Sequence, residues 1–172
     1  MIKNSLWLLL LLLIPITAFG QVIHTLTKIV ESTPTITAGA YSSGDQVGGK
    51  ITLTGSANSS IPTGIISSVE LTDKAAQGVD YDVVFFDTDF TAVADNAAAD
   101  PSDTDLLNIV CVAQITTHIA FADNGTSQAQ NVNCPFSLGS GNTSLYVALV
   151  VRGTPTYAST SDLTLRVGIL QD

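Results

Sequence analysis

The fold is decided by the segment Leu145-Tyr-Val-Ala-Leu-Val-Val-Arg-Gly-Thr-Pro-Thr-Tyr-Ala-Ser-Thr-Ser-Asp-Leu-Thr-Leu-Arg-Val-Gly-Ile-Leu170. Large aliphatic residues occupy every second position from 145 to 151 and again from 163 to 169, with a Gly-Thr-Pro-Thr break after the first run. Because successive side chains of a β-strand point to opposite faces, this alternation predicts two strands. The chain is therefore expected to end inside a β-sheet.

Further strands are expected in five stretches that are rich in β-branched and aromatic residues. Clusters of Gly, Asp, Asn and Pro separate these stretches. Turn signals at this spacing are typical of antiparallel sheets that pack face to face. We expect an all-β domain, an antiparallel β-sandwich with a jelly-roll-like arrangement of about seven to eight strands. The five stretches are 36–41, 49–55, 65–72, 79–87 and 109–117.

Composition and charge narrow the class of protein. The chain has 172 residues, only 12% of them charged, and its formal net charge is −9. This length suits one domain that folds without a metal ion or a dense set of disulfides. The low charge content argues against a disordered acidic tail and against a helical bundle. An acidic surface repels phosphates, so we expect no nucleic-acid partner.

Residues 1–20 have the pattern of a secretory signal peptide. Lys3 precedes an apolar run, and Ala18-Phe-Gly20 forms a small-x-small cleavage site. A retained membrane anchor is the alternative, but the apolar run contains Pro15 and is shorter than the roughly 20 residues that a spanning helix needs. We expect cleavage, a mature chain that begins at Gln21, and no membrane association of that mature chain.

Residues 21–33 are expected to form an arm ahead of a β-sandwich domain at 34–172, with Pro34 at the boundary. The arm carries an apolar stripe, and it can pair with a neighbouring subunit or with its own sheet. Strand addition by such a segment is a known way to join protein chains. We expect a free arm that drives self-association into a homo-oligomer. The stripe consists of Val22, Ile23, Leu26, Ile29 and Val30.

Cys111 and Cys134 are the two cysteines of the chain. In an exported protein such a pair forms a disulfide more readily than a metal site, and the closed loop contributes about 3 kcal/mol to stability. The alternative is a pair of buried free thiols, which pack as small apolar side chains. We expect the disulfide if the chain is exported.

One short helical turn is expected near residues 100–107. Ser102 is suited to be its N-cap residue, and Asp105, three positions later, completes a capping box. Acidic side chains in the first turn also suit the positive end of a helix. This local structure accounts for conspicuous carboxylates without any chemistry.

Eight aspartates lie between residues 80 and 105. Carboxylates at this density can hold Ca²⁺ together with backbone carbonyls, and Asp87, Asp89 and Asp95 are the weak candidates. The spacing lacks the glycine and the closing glutamate of an EF-hand loop. The other interpretation is a solvated acidic face that deters edge-to-edge pairing. We favour the acidic face and expect no cofactor, with structural calcium as the alternative.

The sequence contains no recognisable catalytic motif. Its histidines are His24, in the arm, and His118, at the end of a predicted strand. Composition permits a Ser-His-Asp arrangement, but there is no Gly-x-Ser-x-Gly elbow, and we expect His118 to be an exposed strand-end residue. No phosphate-binding loop is present either. The protein is therefore expected not to be an enzyme, and no catalytic residue is assigned.

Sugar binding is an alternative function, because loops of a sandwich can present aromatic rings to a glycan. Tyr41, Tyr146 and Tyr157 are the candidates for such platforms. The one tryptophan, Trp7, lies in the expected leader, which weakens this alternative.

Three blocks of sequence carry a likeness to a known family. They are Thr35-Ile-Thr-Ala-Gly-Ala-Tyr-Ser-Ser-Gly-Asp-Gln-Val-Gly-Gly49, Phe90-Thr-Ala-Val-Ala-Asp-Asn-Ala-Ala-Ala-Asp-Pro-Ser-Asp-Thr-Asp-Leu106, and the C-terminal segment quoted first. The most specific part is Arg152-Gly-Thr-Pro-Thr-Tyr-Ala-Ser-Thr-Ser-Asp-Leu163. Over residues 33–170 the chain resembles a family of small tailed-phage virion structural proteins, usually described as structural or capsid-associated.

The resemblance implies a non-enzymatic virion component, capsid-associated or decoration-like. Its partners would be other copies of itself or the proteins of a capsid lattice, and no catalytic residues come with it. The leader and the cysteine pair depart from that family, since a phage structural protein assembled in the cytoplasm needs no signal peptide. The alternative is an exported bacterial β-sandwich of the periplasm, the cell surface or the extracellular space, acting as an assembly or glycan-binding module.

Overall fold

The computed structural model describes residues 26–172. The expected signal peptide at 1–20 lies outside the described residues, as do Val22, Ile23 and His24. Within 26–172 the chain forms ten strands and one short helix, and no helix of this range is long and apolar enough to cross a membrane. In chain order the elements are β1 (Leu26–Ser32), β2 (Asp45–Leu53), β3 (Thr63–Asp73), β4 (Tyr81–Phe86), β5 (Ala97–Ala98), α1 (Asp103–Leu106), β6 (Ile109–Ile115), β7 (Thr117–Ala120), β8 (Gly125–Ser137), β9 (Leu145–Val151) and β10 (Leu163–Gln171).

The strands form two sheets of five. Sheet one has the order β1-β10-β3-β8-β7, and sheet two has the order β5-β2-β9-β4-β6. The pairs β1 with β10, β2 with β9, β3 with β8 and β4 with β6 are all antiparallel. Without the short strands β5 and β7, the first half of the chain therefore pairs in reverse order with the second half, like one long hairpin wrapped into two sheets. This is the connectivity of a jelly roll, and it confirms the expected all-β sandwich.

The core lies between the inner faces of the two sheets. In sheet one, Val30, Val167 and Val69 are opposite one another on three adjacent strands and form one inward row. In sheet two, Leu149 is opposite Val83 on β4, and both side chains are fully buried. Burial of each such side chain contributes about 1.5–3 kcal/mol, so facing rows of this kind account for most of the stability of the sandwich.

The expected arm is not free over the residues that the structure describes. β1 pairs with β10 along its whole length, from Leu26 opposite Gln171 to Ser32 opposite Leu165. Val30 contributes to the core, whereas Leu26 and Ile29 are 55% and 52% exposed. Pairing with its own sheet is thus the alternative that is found, and the expectation of a free arm was wrong for residues 26–32. The physical reason is that β1 provides hydrogen-bond partners for the backbone N–H and C=O groups along the edge of β10. At the same time its Val30 side chain covers the core.

The strand expected at 36–41 is also absent. Ile36 and Tyr41 are buried, but the N–H of Ile36 bonds to the carbonyl of Thr160, and that of Tyr41 to the carbonyl of Pro155. These are single bonds to the β9–β10 loop, and they extend only to one isolated bridge between Ala40 and Thr156. The burial of Ile36 and Tyr41 therefore reflects a tethered loop here and not a strand.

β8, a strand of 13 residues, was not predicted from the sequence. Asn131 and Asn133 have φ values of 56° and 50°, and the pairing with β3 shifts its register in this region. Such a bulge breaks the two-residue period that the prediction relied on. Pro135 is tolerated because β7 pairs only with Gly125–Gln128, so the rest of β8 lies at the edge of the sheet.

Candidate functional site

The two cysteines form a disulfide, as expected. Cys111 lies on β6 in sheet two and Cys134 lies on β8 in sheet one, with Cα atoms 6.4 Å apart. The bond joins the two sheets of the sandwich, because β6 and β8 belong to different layers. It therefore restrains the separation of the sheets as well as the loop of the unfolded chain.

The expected N-cap of α1 is confirmed, but the Asp105 carboxylate contacts the Ser102 hydroxyl and not the Ser102 backbone N–H that a capping box uses. Ser102 is the N-cap residue, and its Oγ accepts a hydrogen bond from the backbone N–H of Asp105 at 3.1 Å. The same hydroxyl donates to the Asp105 carboxylate at 2.7 Å. Asp105 is 8% exposed, so this carboxylate serves the cap and is not available to a ligand.

The three weak calcium candidates do not come together. Asp87 accepts a hydrogen bond from the Thr88 hydroxyl at 3.0 Å, and Asp89 forms an ion pair with Lys50. Asp95 is surrounded by hydrogen-bond donors of other segments. Within residues 26–172, no group of three or more His, Cys, Asp and Glu side chains could hold a metal ion.

Asp95 joins three segments that are distant in sequence. Its carboxylate accepts hydrogen bonds from the Thr37 hydroxyl at 2.6 Å, the Tyr41 hydroxyl at 2.8 Å and the Gly48 N–H at 2.5 Å. Gly48 has φ 77°, and a Cβ there would lie 2.4 Å from the Cβ of Pro34, so only glycine fits this bulge. Asp95 thereby anchors the chain between β4 and α1, residues 87–102, which we call the covering loop.

The covering loop packs on the outer face of sheet two. The Phe90 ring stacks on Phe86 with centroids 4.1 Å apart, and the two side chains are 4% and 0% exposed. Together with Ala148 they form a small second core outside the sandwich. Sheet two is therefore apolar on both faces, which explains why the sequence of β4 and β9 is nearly continuously apolar.

An open groove follows the edge of the covering loop, and we call it the outer groove. Its volume is about 450 Å³. Val84, Val112 and Val150 contribute from three strands of sheet two, and Leu106 of α1 and Pro101 line it as well. The ion pair between Arg152 and Asp82, 2.7 Å long, also borders the groove. The outer groove is thus an apolar concavity with one neutralised charge pair.

A smaller cavity, which we call the inner chamber, lies under the covering loop beside the outer groove. Its volume is about 30 Å³, and its lining includes Gln46, Phe86, Phe90 and Ala148. Gln46 is 2% exposed, and its side-chain Nε2 has no hydrogen-bond partner among the described residues. A buried amide donor without an acceptor is rare in proteins and is unfavourable. The inner chamber therefore contains an unsatisfied donor in apolar surroundings.

His118 is part of a hydrogen-bonded chain that the sequence did not reveal. Its Nε2 lies 2.7 Å from Asp80 Oδ1, and its Nδ1 lies 2.7 Å from Ser127 Oγ. Asp80 accepts from Nε2, which leaves Nδ1 of a neutral ring to accept from the serine hydroxyl. Ser127 is only 4% exposed, and the adjacent cavity of about 10 Å³ has no room for an acyl group. This Ser-His-Asp chain links β7 and β8 to the start of β4, and it does not present a nucleophile.

Two of the three tyrosines that were candidate glycan platforms are buried and cannot serve as platforms. Tyr41 and Tyr157 are 3% and 2% exposed, and their rings contact each other edge to face at 5.8 Å. Burial raises the pKa of Tyr157 far above its ordinary value, and it raises that of Tyr81, whose hydroxyl bonds to Tyr157. Tyr146 is half-buried beside the second core.

Three residues of these sites were not predicted from the sequence. They are Gln46 of the inner chamber, and Ser127 and Asp80 of the chain through His118. Gln46 stands next to Val47 in a strand, and only its position under the covering loop makes its amide unusual. Ser127 and His118 are opposite each other in the β7–β8 hairpin, so a correct prediction of that hairpin would have paired them. Asp80 precedes β4 in the other sheet, and no local pattern connects it to His118.

A comparison with protein-family models, curated proteins and solved structures finds no significant match to this chain.

Proposed function

We propose that this protein is a non-enzymatic structural protein of a virion, capsid-associated or decoration-like, that acts by assembling with copies of itself or with a capsid lattice. The proposal rests first on the resemblance to small tailed-phage structural proteins over residues 33–170. The jelly roll is an architecture that viral capsid domains use, although lectins and other proteins use it as well. The jelly roll therefore supports the proposal, but it does not distinguish a capsid protein from the other functions that share this fold.

The observation that carries the assembly proposal is the chemistry of the two edges of sheet one. β1 and β7 are the terminal strands of this sheet. Leu26 and Ile29 on β1 are more than half exposed, and at the other edge Ile119 is 45% and Phe121 61% exposed. An edge strand offers unpaired N–H and C=O groups to another chain. Exposed apolar side chains beside two edges that have no further strand within residues 26–172 favour contact between the β1 edge of one copy and the β7 edge of the next.

This contact would be heterologous, because it joins two different surfaces. Heterologous contacts close into rings or continue as open arrays, and both outcomes suit a lattice component. Leu26 and Ile29 thus keep the role in self-association that was expected of them in a free arm. They take this role as part of β1, which is a fixed edge strand of its own domain. Ser127, the hydroxyl of the Ser-His-Asp chain, is buried, and this supports a function without catalysis.

The test is the association state of the purified mature protein. Ile29→Asp and Phe121→Asp should each weaken self-association in sedimentation equilibrium or reduce binding to tailed-phage capsids in co-sedimentation. Leu107→Asp is the matched control, because Leu107 is 85% exposed and follows α1, outside the strands of sheet one. A chain that stays monomeric at tens of micromolar and binds neither capsids nor cell envelopes would contradict the proposal.

The disulfide favours a second candidate, an exported assembly module of the periplasm, the cell surface or the extracellular space. Disulfides persist in oxidising compartments and are rare in the reducing cytosol, where phage heads assemble. Peptide mass spectrometry of purified virions and of periplasmic and medium fractions separates the two candidates. Recovery of the chain from virions supports the first, and recovery from the exported fractions alone supports the second.

A further inference from the structure

We propose that the inner chamber and the outer groove form one binding site for a small neutral molecule that offers a carbonyl oxygen to Gln46 and rests its apolar part in the groove. This site is separate from the edges of sheet one and does not depend on the proposed assembly. The occupant is defined by three properties of the site: its unsatisfied donor, its shape and its charge.

The donor comes first. Gln46 is 2% exposed, and its Nε2 has no hydrogen-bond partner among residues 26–172. Most buried polar groups in proteins have a partner, either in the protein or in something bound to it. Most of the other lining residues, such as Phe86 and Phe90, have apolar side chains. Asp100 and Thr91 also line the chamber, but neither accepts a hydrogen bond from Nε2 of Gln46. An acceptor atom of a bound molecule would complete this environment.

The shape sets the size of the molecule. The inner chamber, at about 30 Å³, exceeds the roughly 10–15 Å³ that one water molecule requires, so it accepts a group such as a carbonyl with its adjoining carbon. Val84, Ala99, Pro101 and Val150 line both cavities, so the chamber and the groove of about 450 Å³ are neighbours. An aliphatic chain or ring attached to the carbonyl would lie along the groove.

The negative charge around the site excludes a ligand with an anionic head group. Asp100 lines the inner chamber, Asp82 borders the outer groove, and the whole chain carries a formal charge of −9. Arg152 is the one cation in the lining of the groove, and it is already paired with Asp82 at 2.7 Å. A cation has no acceptor to offer the Gln46 donor. A neutral amide, ester or ketone therefore suits the site best.

The experiment titrates hexanamide, hexanoate and hexylamine into the full mature protein and follows the side-chain NH₂ signals of Gln46 by NMR. Hexanamide should bind saturably with a Kd on the order of 1 mM, which is typical of a ligand with so few atoms. The NH₂ signals of Gln46 should shift in the same titration. Hexanoate and hexylamine should bind at least several-fold more weakly.

Two variants test the assignment. Gln46→Leu keeps the approximate volume and removes the donor, so hexanamide affinity should fall about tenfold. Gln130→Leu is the matched control, because Gln130 is an exposed glutamine on β8 of sheet one. The affinity of this control variant for hexanamide should be unchanged. If Gln46→Leu does not fold, Val84→Trp, which narrows the shared wall, serves as the second variant and should abolish binding.

Three results would overturn the proposal. The first is the absence of saturable hexanamide binding to the wild-type chain at about 20 mM, well above the expected Kd. The second is equal affinity of the wild type and Gln46→Leu. The third is saturable hexanamide binding that leaves the NH₂ signals of Gln46 unchanged, which would place the molecule at another site.

Discussion

At the scale of single residues, Asp95 has the largest organising effect. Its carboxylate accepts from Thr37, Tyr41 and Gly48, so it holds the covering loop against β2 and against the segment that follows β1. Because the covering loop forms the lid of the inner chamber and one wall of the outer groove, the candidate site depends on a residue that does not line it. The sequence identified Asp95 only as a weak calcium ligand.

Replacing Asp95 should loosen the covering loop. Asp95→Ala leaves three donors without an acceptor and should lower the free energy of unfolding by about 3 kcal/mol. Urea denaturation measures this change, and hydrogen exchange should show faster exchange of residues 87–102. Asp123→Ala is the control, since Asp123 is exposed and should change stability by less than about 0.5 kcal/mol. Equal unfolding midpoints for the two variants would contradict the role given to Asp95.

The buried tyrosines predict a loss of stability in alkali. Burial, assisted by the hydrogen bond to Asp95, raises the pKa of Tyr41 from 10.0 to about 12, and burial also raises the pKa values of Tyr81 and Tyr157. An acid with a higher pKa in the folded chain stabilises the fold fully below its unfolded pKa, and this contribution declines as the pH rises towards the folded pKa. The stabilisation from Tyr41 should therefore fall between about pH 10 and pH 12.

Urea midpoints measured across this range test the prediction. Tyr41→Phe removes one titrating group, so its stability should decline less steeply than that of the wild type, whatever its stability at neutral pH. An identical pH dependence for the two proteins would show that Tyr41 does not contribute.

At the scale of secondary-structure elements, β1 is both an edge strand and a part of the core. Its seven residues pair with β10, and Val30 is 7% exposed while the adjacent Ile29 is 52% exposed. The two faces of one strand therefore have different tasks. The inner face stabilises the sandwich, and the outer edge is the surface that we assign to assembly.

Neighbouring substitutions separate these two tasks. Val30→Ala removes buried apolar surface and should lower the free energy of unfolding by about 2 kcal/mol, whereas Ile29→Ala should cost less than about 0.5 kcal/mol. Chemical denaturation of the two variants provides the measurement. Deletion of residues 26–32 should destabilise the sandwich strongly, because it exposes β10. A deletion variant as stable as the wild type would show that the pairing of β1 with β10 contributes little.

At the scale of the whole molecule, a disulfide and a hydrogen-bonded side-chain chain link the two sheets at one side of the sandwich. The disulfide joins β6 to β8, and the Ser127–His118–Asp80 chain joins the β7–β8 hairpin to the start of β4. Both links lie at the side of the sandwich where β6 and β7 are the edge strands. At that side the chain passes from sheet two to sheet one between Ile115 and Thr117, so covalent and hydrogen-bonded links reinforce the same border.

Removal of the disulfide should lower the stability of the protein only under oxidising conditions. Cys134→Ser should lower stability by about 3 kcal/mol relative to the oxidised wild type, with a lower Tm. In the presence of a reductant the two proteins should melt at similar temperatures, which controls for the effect of the substitution itself. Quantitative alkylation of both thiols in the native, unreduced protein would contradict the bond.

Much of the fold could be predicted because strand formation leaves a local trace. β9 and β10 were found from alternation alone, and β9 has the predicted bounds. The N-cap of α1 was equally local, since Ser102 and Asp105 are three residues apart. Prediction failed where the local pattern was interrupted, as in the bulged β8, or where burial came from a loop contact, as at Ile36.

By itself, the sequence determined the fold class, the two final strands, the helix cap and the cysteine pair. Each of these depends on residue type and on short spacing along the chain. Only the tertiary structure decided that β1 pairs with β10, that Asp95 anchors a loop and that Gln46 faces an apolar chamber. These features depend on contacts between distant segments, such as Thr37 with Asp95, 58 residues apart, which the jelly-roll wrapping brings together. No local pattern encodes such contacts, because they arise from how the strands are ordered in the sheets.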